Sequence, residues 1–162
     1  MRKLLITLAG VLVLGLGAAN AQTIDDTASN AYYAGASLGL VTGSGINTTG
    51  SLTGQFGIED LLAENFDARF DLGIFFTGGI AIGANALYNF ELEADSPVSI
   101  YAGGGPRLVI DDGAYFGLGV RTGADYGFSE VLSGFAELRV DPVFGDRNYT
   151  IIGLGAGVNY NF

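Results

Sequence analysis

Asp67, Arg69 and Asp71 alternate with Ala68 and Phe70, and the same parity holds for Arg107, Arg121, Glu137, Arg139 and Asp141, all at odd positions among mostly apolar even ones. Two chemistries are open to such a set. Paired carboxylates can exchange protons as general acid and base, and carboxylates interleaved with guanidinium groups can form ion pairs. The residue inventory separates the two. The chain contains no His and no Cys, which removes the usual general base, the commonest metal ligand and every thiolate nucleophile or disulfide. A hydrolase working through Ser, His and an acid cannot be assembled from these residues. Carboxylates beside Arg69 are suited to stay ionised, so the set is read as a charge network; no enzyme activity, catalytic residue, cofactor or metal is expected.

The elements that carry these charges are strands. Alternation with period two, bounded by turn residues, predicts eight of them: about 32–41, 51–58, 66–76, 80–90, 98–110, 115–125, 131–141, and from near 149 to the end. The third is the clearest, with Phe66, Ala68, Phe70, Leu72, Ile74 and Phe76 on one face and Asp67, Arg69 and Asp71 on the other. Thr77-Gly78-Gly79 and Asp112-Gly113 mark tight hairpins, and Pro106 is expected at a bulge or bend. The stretch "TGSGINTTG" reads as a loop, and "EDLLAEN" as a possible short helical turn. Glycines at "GGG" (103–105) and in "GAGVN" lie in strands, away from any strand-to-helix turn that could cradle a phosphate.

The charges decide which solvent each face meets. In a soluble sandwich the apolar faces would join in a core and the charges would sit outside. In a membrane barrel the arrangement inverts, because an Arg facing lipid at the midplane costs roughly 2–4 kcal/mol and belongs in the lumen. Of 19 aromatic residues, 13 occupy the even, apolar face, and several fall near strand ends, as interfacial girdles require. Gly, at 27 residues, is too frequent for helical bundles, while mean hydropathy of +0.38 is high for a soluble exported domain. The expected fold class is therefore all-β: an eight-stranded antiparallel up-and-down transmembrane barrel over residues 32–162.

Residues 1–21 read as a cleaved signal peptide. Arg2 and Lys3 precede an apolar run from Leu4 to Leu16, and Ala19-Asn20-Ala21 has the small-x-small form of a cleavage site, with Ala19 and Ala21 as its marks. Residues 22–31 are expected to form a short periplasmic segment. Without Arg2 and Lys3 the chain carries five Arg against 17 acidic residues, a net charge of −12 with no Lys. Such a surface repels phosphates, so no nucleic-acid partner is expected.

The last strand, "IIGLGAGVNYNF", alternates Ile152, Leu154, Ala156, Val158, Tyr160 and Phe162 with Gly and Asn. With the signal peptide and the eight strands, this ending makes the chain resemble the small eight-stranded outer-membrane barrels of the OmpA transmembrane-domain and OmpX type. The resemblance implies an outer-membrane location, a lipid bilayer as surroundings, a monomeric state, and recognition of Val158, Tyr160 and Phe162 by the barrel-assembly machinery. No cell-wall-binding domain is expected after Phe162.

An even strand count puts both termini in the periplasm. Connections 42–50, 77–79, 111–113 and 142–148 would then be external, and 59–65, 91–97 and 126–130 periplasmic. An eight-stranded lumen is just wide enough for side chains to fill it. Three roles stay open: an envelope-structural barrel with a charge-networked interior, a narrow gated ion pore, or a surface-interaction protein acting through "GSGINTTG" and "DPVFGDRN", with Asp111, Asp112, Asp141 and Asp146 as cation or partner ligands.

Overall fold

The computed structural model describes residues 31–44, 46–92, 96–145 and 148–162. The expected signal peptide 1–21 with Ala19 and Ala21, residues 22–30 of the expected periplasmic segment, and Asp146 lie outside the described residues. Eight strands follow in order: β1 (Tyr32–Gly43), β2 (Ile46–Ala63), β3 (Phe66–Phe75), β4 (Ile80–Glu91), β5 (Val98–Ile110), β6 (Ala114–Ser129), β7 (Leu132–Phe144) and β8 (Tyr149–Asn161). Each pairs antiparallel with its neighbour in sequence, and β8 returns to β1, so the sheet closes without an edge. Closure satisfies the backbone groups that hydrocarbon cannot hydrogen-bond. At the seam the start of β1 and the end of β8 bond reciprocally: Tyr32 N–H donates to Phe162 O at 3.1 Å, and Phe162 N–H to Tyr32 O at 2.8 Å.

The faces divide as the alternation requires. Along β6, Phe116, Leu118 and Val120 are outward and 54–64% exposed, whereas Arg121 between Val120 and Thr122 is 3% exposed. Rings cluster around the end where β1 starts and β8 ends: Phe66 is tilted against Tyr88 (4.8 Å), Phe90 meets Tyr88 edge-on (4.8 Å), Tyr126 is tilted against Phe128 (5.3 Å), and Phe162 stacks between Tyr160 (6.2 Å) and Tyr32 (6.3 Å). The opposite, hairpin end carries a sparser outer ring set, Phe76, Phe116 and Phe144. The two girdles are thus unequal.

Several boundaries differ from the sequence expectation. The stretch expected as the loop 42–50 is mostly strand, with β2 beginning at Ile46, and β6 and β7 run on to Ser129 and Phe144. Small and polar residues that read as loop on composition are held in the ladder by the strands beside them. "EDLLAEN" is also strand and turn, with no helical turn: the β2–β3 register slips between Ile58 and Ala63, and Asp60 and Asn65 take left-handed φ values of 54° and 65°. Asn65 N–H donates to Asp60 Oδ1 at 2.6 Å, which closes that turn with a side-chain acceptor. Pro106 causes no bulge. It pairs with Leu118 of β6, and β4 keeps one register from Gly83↔Arg107 to Ala86↔Gly104, with the two rungs between them missing on that side. The missing N–H of Pro106 is accommodated by those lost rungs and needs no extra residue. At the β3–β4 hairpin, Gly78 and Gly79 adopt φ of 115° and 84°, the conformation for which Gly is suited.

Candidate functional site

The odd-numbered side chains fill the lumen in three layers. At the hairpin end, Val41, Phe75, Ala81, Val109, Val143 and Ile151 pack with Tyr115 into an apolar plug, flanked by Ile46 and Tyr149. Tyr115 is further anchored by its hydroxyl, which donates to Asp112 Oδ1 at 2.8 Å. None of these plug residues had been assigned a role from the sequence. Their signal was present as apolar residues of lumen parity next to the hairpin turns.

The middle layer is ionic. Arg107 meets Asp71 at 3.1 Å and Asp141 at 3.2 Å; Arg121 meets Asp71 at 3.1 Å and Glu137 at 3.3 Å; Arg69 pairs with Glu137. Arg139 approaches Asp141 only at 3.7 Å. The carboxylates of Asp71 and Asp141 are wholly buried, and each is shared between two guanidinium groups. Neutral partners complete the layer. Asn85 Nδ2 donates to Asp71 Oδ1 at 2.7 Å, and Tyr101 Oη to Glu137 Oε2 at 3.0 Å, while the Arg69 guanidinium lies 5.3 Å from the Tyr101 ring centre. Glycines leave room for these side chains. A Cβ on Gly83 would stand 2.8 Å from Asp71 Oδ2, and one on Gly153 2.6 Å from Arg139 Nε.

Seven of the eight charges singled out from the sequence meet in this layer, and Asp67 does not. It lies toward the terminal end, accepting from Asn89 Nδ2 at 2.7 Å and from Asp60 N–H at 3.1 Å, and is absent from the ion pairs of the described residues. Asp141 is likewise displaced from its second expected role. It is fully buried in the lumen, so it cannot join Asp111 and Asp112 in a loop site for cations. Sequence reasoning passed over Asn85, Tyr101, Gln55 and Asn159, which share the lumen parity of the charges. Gln55 Nε2 donates to Asn159 Oδ1 at 2.7 Å, and Asn159 Nδ2 to Asp125 Oδ1 at 3.2 Å.

The third layer is an open vestibule of about 460 Å³ at the terminal end, with Glu59, Asp60, Asp67, Asp125 and Arg69 among its lining residues. It is open, acidic and floored by the ionic layer. Among the described residues no group of three or more acidic, His or Cys side chains is arranged to hold a metal ion.

A closed eight-stranded antiparallel barrel, apolar outside and ionic within, defines the class: a small transmembrane β-barrel, resembling those of the OmpA and OmpX type. Solved structures of that kind match along most of the chain. Neisserial surface protein A (NspA) superposes with a TM-score of 0.66 at 22% identity, covering 83% of this chain and 100% of that one. The N-terminal barrel domain of Pseudomonas aeruginosa OprF gives 0.62 at 17% identity, covering 82% and 98%. Ail, the attachment invasion locus protein of Yersinia pestis, gives 0.51 at 12% identity, covering 82% and 97%. At these identities the likeness is one of fold. No protein-family model matches the sequence, and comparison with curated proteins by sequence gave no match.

Proposed function

We propose that this chain is an integral outer-membrane barrel whose main role is structural, contributing a closed, rigid element to the envelope, with no catalytic function. The observation that carries this reading is the filled lumen. An apolar plug at one end and a buried ionic layer behind it occupy the lumen beyond the vestibule among the described residues, and an apolar constriction sheds water. The outward apolar faces support a bilayer as surroundings, and the heavier aromatic girdle lies at the end of Tyr32 and Phe162, the end that an even strand count would turn to the periplasm. A monomer suffices, since closure leaves no strand edge to share.

The pore reading predicts ion flow through the same lumen, and planar-bilayer recording separates the two. The refolded barrel is expected to give no steady conductance above the lipid baseline. Regular open-channel steps in the unaltered protein would contradict the structural role and favour a gated pore.

The carboxyl-terminal residues fit recognition by the assembly machinery. Val158, Tyr160 and Phe162 point outward, 45–54% exposed, while the backbone of Phe162 is engaged with Tyr32. A machinery reading this strand would engage it before the seam closes. Phe162→Ala is therefore expected to lower the amount of barrel recovered from outer membranes several-fold while leaving refolding into detergent nearly unchanged. Equal loss in both assays would assign Phe162 to barrel stability instead.

A further inference from the structure

The ionic layer is not balanced by the groups that form it. Four guanidinium groups (Arg69, Arg107, Arg121 and Arg139) share three carboxylates (Asp71, Glu137 and Asp141), and Arg139 is the one left poorly matched. Among the described residues its one carboxylate contact is Asp141 at 3.7 Å, which Arg107 approaches more closely at 3.2 Å; its Nε, like that of the other three guanidinium groups, makes no hydrogen bond, and neither do the Asp141 oxygens. Arg139 is nevertheless 7% exposed. An uncompensated buried cation is costly, and chains of this kind neutralise it with a counter-charge.

Beside Arg139 lies a cavity of about 20 Å³, lined also by Arg121, Glu137, Ser37, Ser51 and Thr53. Such a volume is about that of a single small sphere. The charge of Glu137 is already met by Arg69 and Arg121. Arg121 Nε has no hydrogen-bond partner, and neither Ser51 nor Thr53 donates its hydroxyl to another side chain among the described residues. Two guanidinium groups and three hydroxyl residues therefore line a small space beside the cation left with the longest ion pair, with Glu137 as the one carboxylate among the lining residues. The glycine at 153 is what allows Arg139 to lie along this wall. A water molecule would satisfy the donors and leave the charge; a monovalent anion satisfies both.

We propose that this cavity is a binding site for a small monatomic anion, chloride in ordinary media, held by Arg139 and Arg121 with help from the Ser51 and Thr53 hydroxyls. The anion offsets the one extra guanidinium of the ionic layer and ties β2, β6 and β7 together at that level.

Two measurements on the refolded full barrel test this. Crystals grown in sodium bromide should show an anomalous peak within hydrogen-bond distance of Arg139. The melting temperature should rise in chloride or bromide relative to gluconate at matched ionic strength, and that difference should vanish in Arg139→Gln and shrink in Ser51→Ala. Absence of the bromide peak overturns the proposal, as does an anion-dependent shift that persists in a folded Arg139→Gln. A peak without any melting shift would mark an adventitious ion only and overturns it too. If Arg139→Gln does not fold, the peak and the Ser51→Ala series in the unaltered background still decide.

Discussion

Asp71→Ala is expected to destabilise the barrel by about 3–5 kcal/mol, the cost of removing one partner from a buried ion-pair network. Asp71 accepts from Arg107 at 3.1 Å and from Asn85 at 2.7 Å, lies 3.1 Å from Arg121, and has no solvent-exposed side-chain surface. Its removal strands charge on two guanidinium groups at once, and the cavity left by the carboxylate cannot collapse against a closed wall of strands. Asp71→Asn keeps the volume and the contact with Asn85 but forfeits the charge, so it should lose most of the same stability. Urea titration of the folded barrel in detergent or short-chain lipid vesicles, followed by mobility on unheated gels, reads both changes. A loss below about 1 kcal/mol for both variants would mean that the ionic layer does not hold the lumen together.

The second large effect is expected outside. Val120 is 64% exposed at the middle of β6, between Gly104 of β5 and Val140 of β7. Val120→Arg places a guanidinium against hydrocarbon and should cost about 2–4 kcal/mol, whereas Val120→Leu should be nearly neutral. The neighbouring Arg121 tolerates its charge because it faces Asp71 and Glu137. The contrast between two adjacent positions is the energetic signature of a barrel in lipid. If Val120→Arg is as stable as Val120→Leu in vesicles, that face does not meet hydrocarbon.

The fold was legible in the sequence because alternation on this scale is a global constraint. Once Phe66 to Phe76 fix one face as apolar, a slip of one residue in any neighbour would turn an Arg into lipid, so eight strands and their sidedness follow together. What composition hid was strand length. "TGSGINTTG" and "EDLLAEN" look like loop and helix because Gly, Asn, Glu and Leu have weak or helical local preference, and the ladder overrides that preference once both neighbours are extended. Pro106 misled for a related reason: its missing N–H suggested an insertion, yet the structure accommodates it by dropping two rungs on one side.

The site was legible in part. Parity alone brought seven charges into one layer, but it carries no depth. Asp67 has the same parity as Asp71 and only four residues separate them, yet that is enough rise along a tilted strand to move it from the sealed layer to the open vestibule. Depth also separates the plug from the ionic layer, and reading it requires the inter-strand register that no single strand contains. Asn85 and Tyr101 escaped notice because amide and phenol groups do not stand out among turn residues and girdle aromatics until their partners are located.

The central claim is the orientation of the two faces, and the absence of Cys from the chain makes it directly measurable. Single cysteines placed one at a time from 115 to 125 in β6, spin-labelled in the barrel reconstituted into vesicles, report collision with oxygen dissolved in the bilayer and with a water-soluble nickel complex. Even positions should collide strongly with oxygen and odd positions weakly, with a period of two across the whole span. Uniform access to the nickel complex at even positions, or oxygen access greatest beside Arg121, would contradict the account.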